Sequence, residues 1–450
     1  MKIAFHTLGC KVNQYETQAM AEQFAGRGFE VVDENEEADC YIINTCTVTN
    51  LADRKSRQFI RRARKISPGA VVAVTGCYSQ VKPEELWAMP EVDIVTGNGD
   101  KPHLIDMVED ALIRKHSGLD ARRLEVLPYE ELKDYTDRGI IMNMEGRTRA
   151  YIKIQEGCNR FCSYCLIPFA RGQVRSRDPE EVAEEARALV EHGFKEIVLT
   201  GINTALYGTE AGFKERYGYP EDGIETIIRA INDIPGDFRI RLSSLEPTVV
   251  NAEYVKKLLK YPKLCPHLHL SIQSGSDNII KAMNRHYTRR EYLDIVDVLK
   301  EHDPGYGITT DIIVGFPGET EEDFNDSLRM VEEAGFLKVH TFKYSKRKGT
   351  RAESMKDQVR GEIKNDRSDR LIEAGEAAAK KFFSREKGRV RTALFEEIDK
   401  DGYLTGFTEN YVRVYVPAPE NGEDLLNEFQ AVVMKDAYAD GMTAELSDKK

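Results

Sequence analysis

The run Glu156-Gly157-Cys158-Asn159-Arg160-Phe161-Cys162-Ser163-Tyr164-Cys165 holds three cysteines in the spacing Cys-x3-Cys-x2-Cys, with no fourth ligand beside them. A four-iron cluster held by three thiolates keeps one iron open to a further ligand. The competing readings are a zinc knuckle or three unrelated thiols. Zinc sites usually pair cysteines two by two or add histidine, and this loop contains no histidine.

The loop follows an apolar strand expected over 150–155. Further strands are expected over 196–200, 239–245, 267–272, 307–314 and 338–344, each separated from the next by a helical stretch. Six βα units imply a partial (β/α)6 barrel, with functional loops at the carboxyl ends of the strands. The three-cysteine loop sits at the first such end. With the aromatic Tyr164 before its last cysteine, the motif resembles the signature of the radical S-adenosylmethionine superfamily. That resemblance implies that the open iron chelates the amino and carboxylate groups of S-adenosylmethionine. One electron then breaks a carbon–sulfur bond and releases a 5′-deoxyadenosyl radical, while the protein ligates, orients and excludes water. The other strand ends supply candidates for the rest of the cofactor. Gly201 and Asn203 suit its methionyl end, Ser243 follows the third strand, and Gln273 and Ser274 suit ribose. Val314, Gly315 and Phe316 would lie along adenine. Arg285 is a candidate for the carboxylate, with a surface arginine as the alternative. Strand-ending glycines are common and each is weak alone; the cysteine loop strengthens the set.

Upstream, residues 1 to about 115 alternate strand and helix, with strands expected over 2–7, 41–43, 70–75 and 93–96 and helices over 13–27, 50–66 and 101–116. This alternation implies a parallel α/β sheet. Cys10, Cys46 and Cys77 each follow one of its strands, and ligands of open α/β sheets bind beyond the strands' carboxyl ends. Position therefore points to a second metal cluster, against the alternative of three small buried hydrophobes. Cys40 precedes its strand and Cys265 is isolated, so both read as packing residues. Arg54, Arg57, Arg61 and Arg64 recur at helical spacing on one face. They read either as a polyanion contact or as a solvated face.

Residues 116–143 lack a clear period and read as a linker between a first domain, 1–115, and a core, 144–375. A terminal domain, 376–447, begins in a charged helix and continues in short strands over 389–396, 403–409, 411–416 and 429–434. These suit a small antiparallel barrel of a type that often binds oligonucleotides. Lys380, Lys381, Arg389 and Arg391 would form its RNA-facing edge; a structural or protein-docking barrel is the alternative. The fold class is thus α/β with an appended β-barrel.

The net charge of −12 argues against wholesale wrapping of nucleic acid but leaves room for a local basic patch. No apolar run approaches the ~20 residues that span a bilayer, and the N-terminus lacks a signal-peptide layout. A cytoplasmic protein with no membrane partner is expected, its eight cysteines serving as ligands rather than disulfides.

Taken together and in this order, the three parts resemble the methylthiotransferases, which have an N-terminal three-cysteine domain, a radical S-adenosylmethionine core and a C-terminal TRAM domain. The resemblance implies two [4Fe-4S] clusters, one on Cys158, Cys162 and Cys165 that cleaves the cofactor and one on Cys10, Cys46 and Cys77 that carries sulfur. One S-adenosylmethionine would methylate that sulfur, and a second would yield the radical that activates C2 of a purine. The run Leu8-Gly9-Cys10-Lys11-Val12-Asn13 looks like the branch acting on N6-threonylcarbamoyladenosine at position 37 of tRNA. The isopentenyladenosine branch carries Gly-Cys-Gln-Met-Asn there, and the ribosomal-protein branch Gly-Cys-Pro-Lys-Asn. The implied partners are that tRNA, an electron donor protein and a sulfur source. A related enzyme acting on a protein side chain, or a non-catalytic iron–sulfur RNA sensor, are the other classes open at this point.

Overall fold

Strands that are buried along their whole length, such as Cys40–Thr45 and Val71–Gly76, require cover on both faces, the condition of a parallel sheet flanked by helices. The computed structural model describes residues 1–133, 135, 148–218 and 222–447. It divides into two compact units. One comprises Met1–Met144, Lys153–Arg177 and Ser345–Glu353; the other comprises Glu145–Ile152, Asp178–Tyr344 and Ser354–Lys450.

In the first unit, β1 (Lys2–Thr7), β2 (Glu30–Val32), β3 (Cys40–Thr45), β4 (Val71–Gly76), β5 (Ile94–Thr96) and β6 (Arg123–Glu125) form one sheet in the order β2-β1-β3-β4-β5-β6. Every pairing is parallel. Alternate side chains enter two apolar layers. Ile3, Ile42, Val71 and Ile94 meet Phe24, Leu104 and Val108 on one side. Tyr41, Ile43, Val72 and Val74 meet Phe59, Ile60 and Leu86 on the other. Each such side chain contributes about 1.5–3 kcal/mol when buried. The sequence signals for β2 and β6 are too short to stand out. Strand β6 draws residues of the expected linker 116–143 into this sheet; residues 134 and 136–143 of that linker lie outside the described residues.

The cysteine loop also belongs to this unit, although its sequence position suggests the core. It lies between β7 (Arg149–Glu156) and β8 (Arg175–Ser176), which pair antiparallel through Gln155–Ser176 and Glu156–Arg175. The chain doubles back here, and the loop is the connection.

The second unit begins with the first residues of β7, through Ile152, in the same sheet as β9 (Glu196–Gly201) and β10 (Arg239–Leu242). Strands β9 and β10 pair in parallel, as do β11 (His267–His269), β12 (Gly307–Val314) and β13 (Lys338–Lys343). Bridges Ile240–Leu264 and Leu245–Leu270 carry the curve from β10 to β11. This is the expected partial barrel. After a long helix, Gly361–Glu386, the chain closes a five-stranded barrel in the order β14-β15-β16-β18-β17 from β14 (Val390–Ile398), β15 (Tyr403–Thr408), β16 (Arg413–Pro417), β17 (Phe429–Tyr438) and β18 (Gly441–Leu446). The last of these, which closes the ring, was not expected from the sequence.

Within this unit the closed barrel is tied to the parallel strands by charge. Buried Glu196 accepts from Arg239 at 2.6 Å and Arg241 at 2.8 Å. Arg239 in turn donates to Phe407 O at 2.9 Å. Arg391 and Arg389, expected to face RNA, are likewise spent here. Arg391 is buried and donates to Glu386 and Asp303, and Arg389 pairs with Asp303. Lys381 pairs with Glu332, while Lys380 is exposed. A buried guanidinium needs a carboxylate partner, and Arg391 has its own inside the protein, while Arg389 keeps part of its side chain exposed beside Asp303.

Candidate active site

Three neighbouring strands set the first thiol group. The register places Thr7 beside Asn44, Asn44 beside Thr75, and Thr45 beside Gly76. The chain leaves all three strands at one edge. Cys10 caps α1 (Lys11–Gly26), Cys46 follows β3, and Cys77 opens the short helix Cys77–Val81. Two glycines allow the crowding. Gly9 has φ +118°, and a Cβ there would lie 2.9 Å from Cys46 Cβ; Gly76 has φ +101°, and its Cβ would lie 2.5 Å from Thr45 O. Asn13 clamps two of the turns by donating from Nδ2 to Leu8 O at 2.7 Å and Thr45 O at 3.0 Å. Burial pushes the buried Cys46 thiol up to about 12, while Cys10 is exposed.

The second thiol group lies on the loop after β7. Gln155 Nε2 donates to the carbonyls of Glu156 and Gly157. Gly157 has φ +73° and stands so close to Gln173 O that no side chain fits. Cys158 N bonds Gly172 O at 3.0 Å, closing the loop at its base, and Cys165 N bonds Cys162 O at 2.9 Å, closing the turn that holds half-buried Tyr164. Ile167 N donates to Cys165 Sγ at 3.4 Å. All three of these cysteines are half-buried, and all eight in the chain are free thiols.

A buried charge network joins the segments that carry the two groups. Glu16 on α1 accepts from Lys153 at 2.6 Å and also from Lys101 and Arg171. Burial alone would raise its carboxyl, but Arg171, Lys101 and Lys153 hold it well below the usual range. Glu156 is brought to about 2 by Lys153 and Arg171, which outweigh burial. Arg171 Nε also donates to Cys77 Sγ at 3.2 Å, and Asn98 joins Ala170 O to the same region. Asn13 enters the sequence reading only as the end of the run Leu8–Asn13, and Glu16, Lys153 and Arg171 do not stand out in the sequence. The available signal was an arginine in the otherwise apolar run Ile167-Pro168-Phe169-Ala170-Arg171.

In the second unit the candidate cofactor residues do collect at strand ends, but unevenly. Glu246, not singled out, accepts from Asn203 at 2.8 Å and from Arg285 at 2.7 Å, so Arg285 is no idle surface residue. Gly201 ends β9, and Ser243 is buried with its N–H on Leu199 O. Gln273 adopts φ +68° and donates its N–H to Asp311 O, an unusual backbone of the kind stored at functional sites. Ser274 is buried and accepts from Ser276 N. The alternation of β12 turns Asp311 and Ile313 to the open side and Ile312 and Val314 to the packed side. Val314 and Phe316 have their side chains in the core, the latter against Tyr344, and Ile313 is half-buried. Gly315 N donates to Glu319 Oε1 at 2.8 Å.

The basic helix α2 (Asn50–Ile66) divides into two faces. Arg64 is used structurally, bonding Ala70 O, Glu91 O and Asp93, and Arg57 bonds Tyr78 Oη at 2.5 Å. Arg54, Lys55, Arg61, Arg62 and Lys65 are exposed. The expected single stripe of Arg54, Arg57, Arg61 and Arg64 is thus half exposed and half committed, because Phe59, Ile60 and Ala63 turn the helix inward.

Residues 152–331 match the radical SAM superfamily, and residues 2–97 match the family described as "Uncharacterized protein family UPF0004". A radical S-adenosylmethionine methyltransferase of solved structure, TsrM from Kitasatospora setae, has a similar fold, with a TM-score of 0.55 and 15% identity over 78% of this chain and 77% of that one. Bacillus subtilis (strain 168) has a relative named threonylcarbamoyladenosine tRNA methylthiotransferase MtaB, 42% identical over 97% of this chain and 94% of that one. A relative from Clostridium novyi (strain NT), named tRNA-2-methylthio-N(6)-dimethylallyladenosine synthase, is 36% identical over 82% and 79%. The chain belongs to the tRNA methylthiotransferase family of radical S-adenosylmethionine enzymes.

The donor sets suit iron–sulfur ligation. Each consists of three soft thiols, the ligand type that iron–sulfur clusters take. Among the described residues, no three or more His, Cys, Asp or Glu side chains group closely enough to hold a single metal ion. Thiols spread over several irons have no need to do so.

Proposed function

We propose that this chain adds a methylthio group to C2 of N6-threonylcarbamoyladenosine at position 37 of tRNA. The near full-length identity with the B. subtilis enzyme carries the reading, and the run from Gly9 to Asn13 supports the same branch. Cys158, Cys162 and Cys165 would hold the [4Fe-4S] cluster of the radical chemistry; Cys10, Cys46 and Cys77 would hold a second. When bound, the two clusters and S-adenosylmethionine supply an electron, a radical and a sulfur site.

The protein's own residues do the rest. Asn13, Gly9 and Gly76 keep three thiols at one sheet edge. Gly157 and the Cys158–Gly172 bond fix the base of the second loop. Glu246 holds Arg285 and Asn203; Arg285 would complement the charge of the cofactor's carboxylate and Asn203 would supply a neutral hydrogen-bonding amide. The membership of all six cysteines in one compact unit supports a division of labour at one centre. An electron donor protein and a sulfur source complete the system, and we take its location to be the cytoplasm, where tRNA is modified. No helix among the described residues is long and apolar enough to cross a membrane. The reading is tested by nucleoside mass spectrometry of tRNA from cells lacking the gene. Loss of the 2-methylthio form of threonylcarbamoyladenosine alone is expected.

A further inference from the structure

We propose that Arg171 is a positioning residue for the second cluster: pinned by Glu16, Glu156 and Asn13, its guanidinium hydrogen-bonds the sulfur of Cys77 and sets that cluster's electronic character. The proposal rests on the reading that Cys10, Cys46 and Cys77 hold a cluster.

Every N–H of the guanidinium is engaged. Nε donates to Cys77 Sγ at 3.2 Å. Nη1 donates to Glu156 Oε1 at 2.5 Å and to Glu16 Oε1. Nη2 donates to Asn13 Oδ1 at 2.5 Å and to Glu16 Oε2 at 3.0 Å. The side chain is fully buried. Arginine carries five N–H donors in a rigid plane, and all five are accounted for. Ion pairing with Glu16 and Glu156 needs only the terminal nitrogens; the Nε–H is left over and points at sulfur. A buried cation donating to a ligand sulfur stabilises the more negative, reduced state and so raises the reduction potential.

Arg171 also ends the helix Ile167–Arg171, on the segment that carries Cys158, Cys162 and Cys165. One stretch of chain therefore ligates one cluster and contacts a ligand of the other. Lysine cannot reproduce this, because it offers a point charge without the planar fork.

The test uses the full-length chain with Cys158, Cys162 and Cys165 replaced by alanine, reconstituted with iron and sulfide, so that one cluster is read alone. Its one-electron reduction from the 2+ to the 1+ state, with dithionite as the electron source, is followed by electron paramagnetic resonance. Adding Arg171→Gln should lower the midpoint potential and shift the g values, with about four irons per chain retained. Arg171→Lys should recover part of the potential but not the g values. If Arg171→Gln binds no iron, Arg171→Lys decides: a lowered potential and shifted g values with about four irons retained support the proposal, and an unchanged potential with unchanged g values overturns it. An unchanged potential in iron-replete Arg171→Gln also overturns it. An iron-free reference protein would overturn the cluster reading beneath it, and this proposal with it.

Discussion

Lys153 Nζ donates a hydrogen bond to Glu16 Oε1 at 2.6 Å across 137 positions of sequence, and both side chains are almost wholly removed from water. The pair ties the first helix of the sheet domain to the strand that leads into the radical loop. Removing one member of such a pair strands the others. Glu16→Ala should therefore destabilise the first unit by about 3–5 kcal/mol, because Lys101, Lys153 and Arg171 lose their shared carboxylate. Urea unfolding of cluster-free protein would show this as a lower midpoint. A loss of about 1 kcal/mol or less would mean that the network relaxes or takes up water.

Acid should act on the same network. The folded carboxyl of Glu156 lies at about 2 and that of Glu16 well below the usual range, against about 4.3 for glutamate in an unfolded chain. A carboxyl depressed by folding contributes stability above its unfolded value and loses it as pH falls toward the folded one. Cluster-free protein should lose stability between about pH 4.3 and about 2. Glu156→Gln should be less stable at pH 7 yet lose less over that window. Parallel acid profiles for the two proteins would contradict the assignment.

Replacing Cys158, Cys162 and Cys165 with alanine should abolish 5′-deoxyadenosine formation and leave roughly half the iron. The other three thiols are set by β1, β3 and β4, whose core does not depend on the loop. Undiminished deoxyadenosine would reject the radical assignment; complete iron loss would reject an independent second site.

Helix α2 offers a separation of roles. Charge reversal at the exposed Arg54, Arg61 and Lys65 should weaken tRNA binding and flatten its salt dependence, by about 0.7–0.9 in slope for each phosphate no longer neutralised. Arg64→Ala should lower stability, because Asp93 and the carbonyls of Pro68, Ala70 and Glu91 are left without this donor, and should leave the salt slope unchanged. If the exposed set has no effect on the slope, this face is only solvated.

Much of this was legible in the sequence because it is local. Cysteines placed just after apolar strands mark the edge of a parallel sheet, and the tight spacing from Cys158 to Cys165 marks a loop. Burial of charge is not local. Nothing in the sequence around Glu16 shows that Lys101, Lys153 and Arg171 arrive beside it from distant positions. The arginines of α2 repeat regularly, but only packing by Phe59 and Ile60 decides that Arg64 turns toward Asp93 while Arg61 stays in water. Likewise the alternation of β12 leaves Ile313 half-buried and buries Val314 fully, a parity that the run of residue types alone does not reveal. Arg389 and Arg391 looked free for RNA because Asp303 and Glu386, their partners, lie on other elements.

The central claim is the substrate, and it is tested most directly by competition. Enzyme carrying both clusters, with reductant, S-adenosylmethionine and sulfide, is offered tRNA bearing N6-threonylcarbamoyladenosine and tRNA bearing isopentenyladenosine in equal amounts. Preferential methylthiolation of the threonylcarbamoyl nucleoside is the expected result. Preferential methylthiolation of the isopentenyl nucleoside would contradict it.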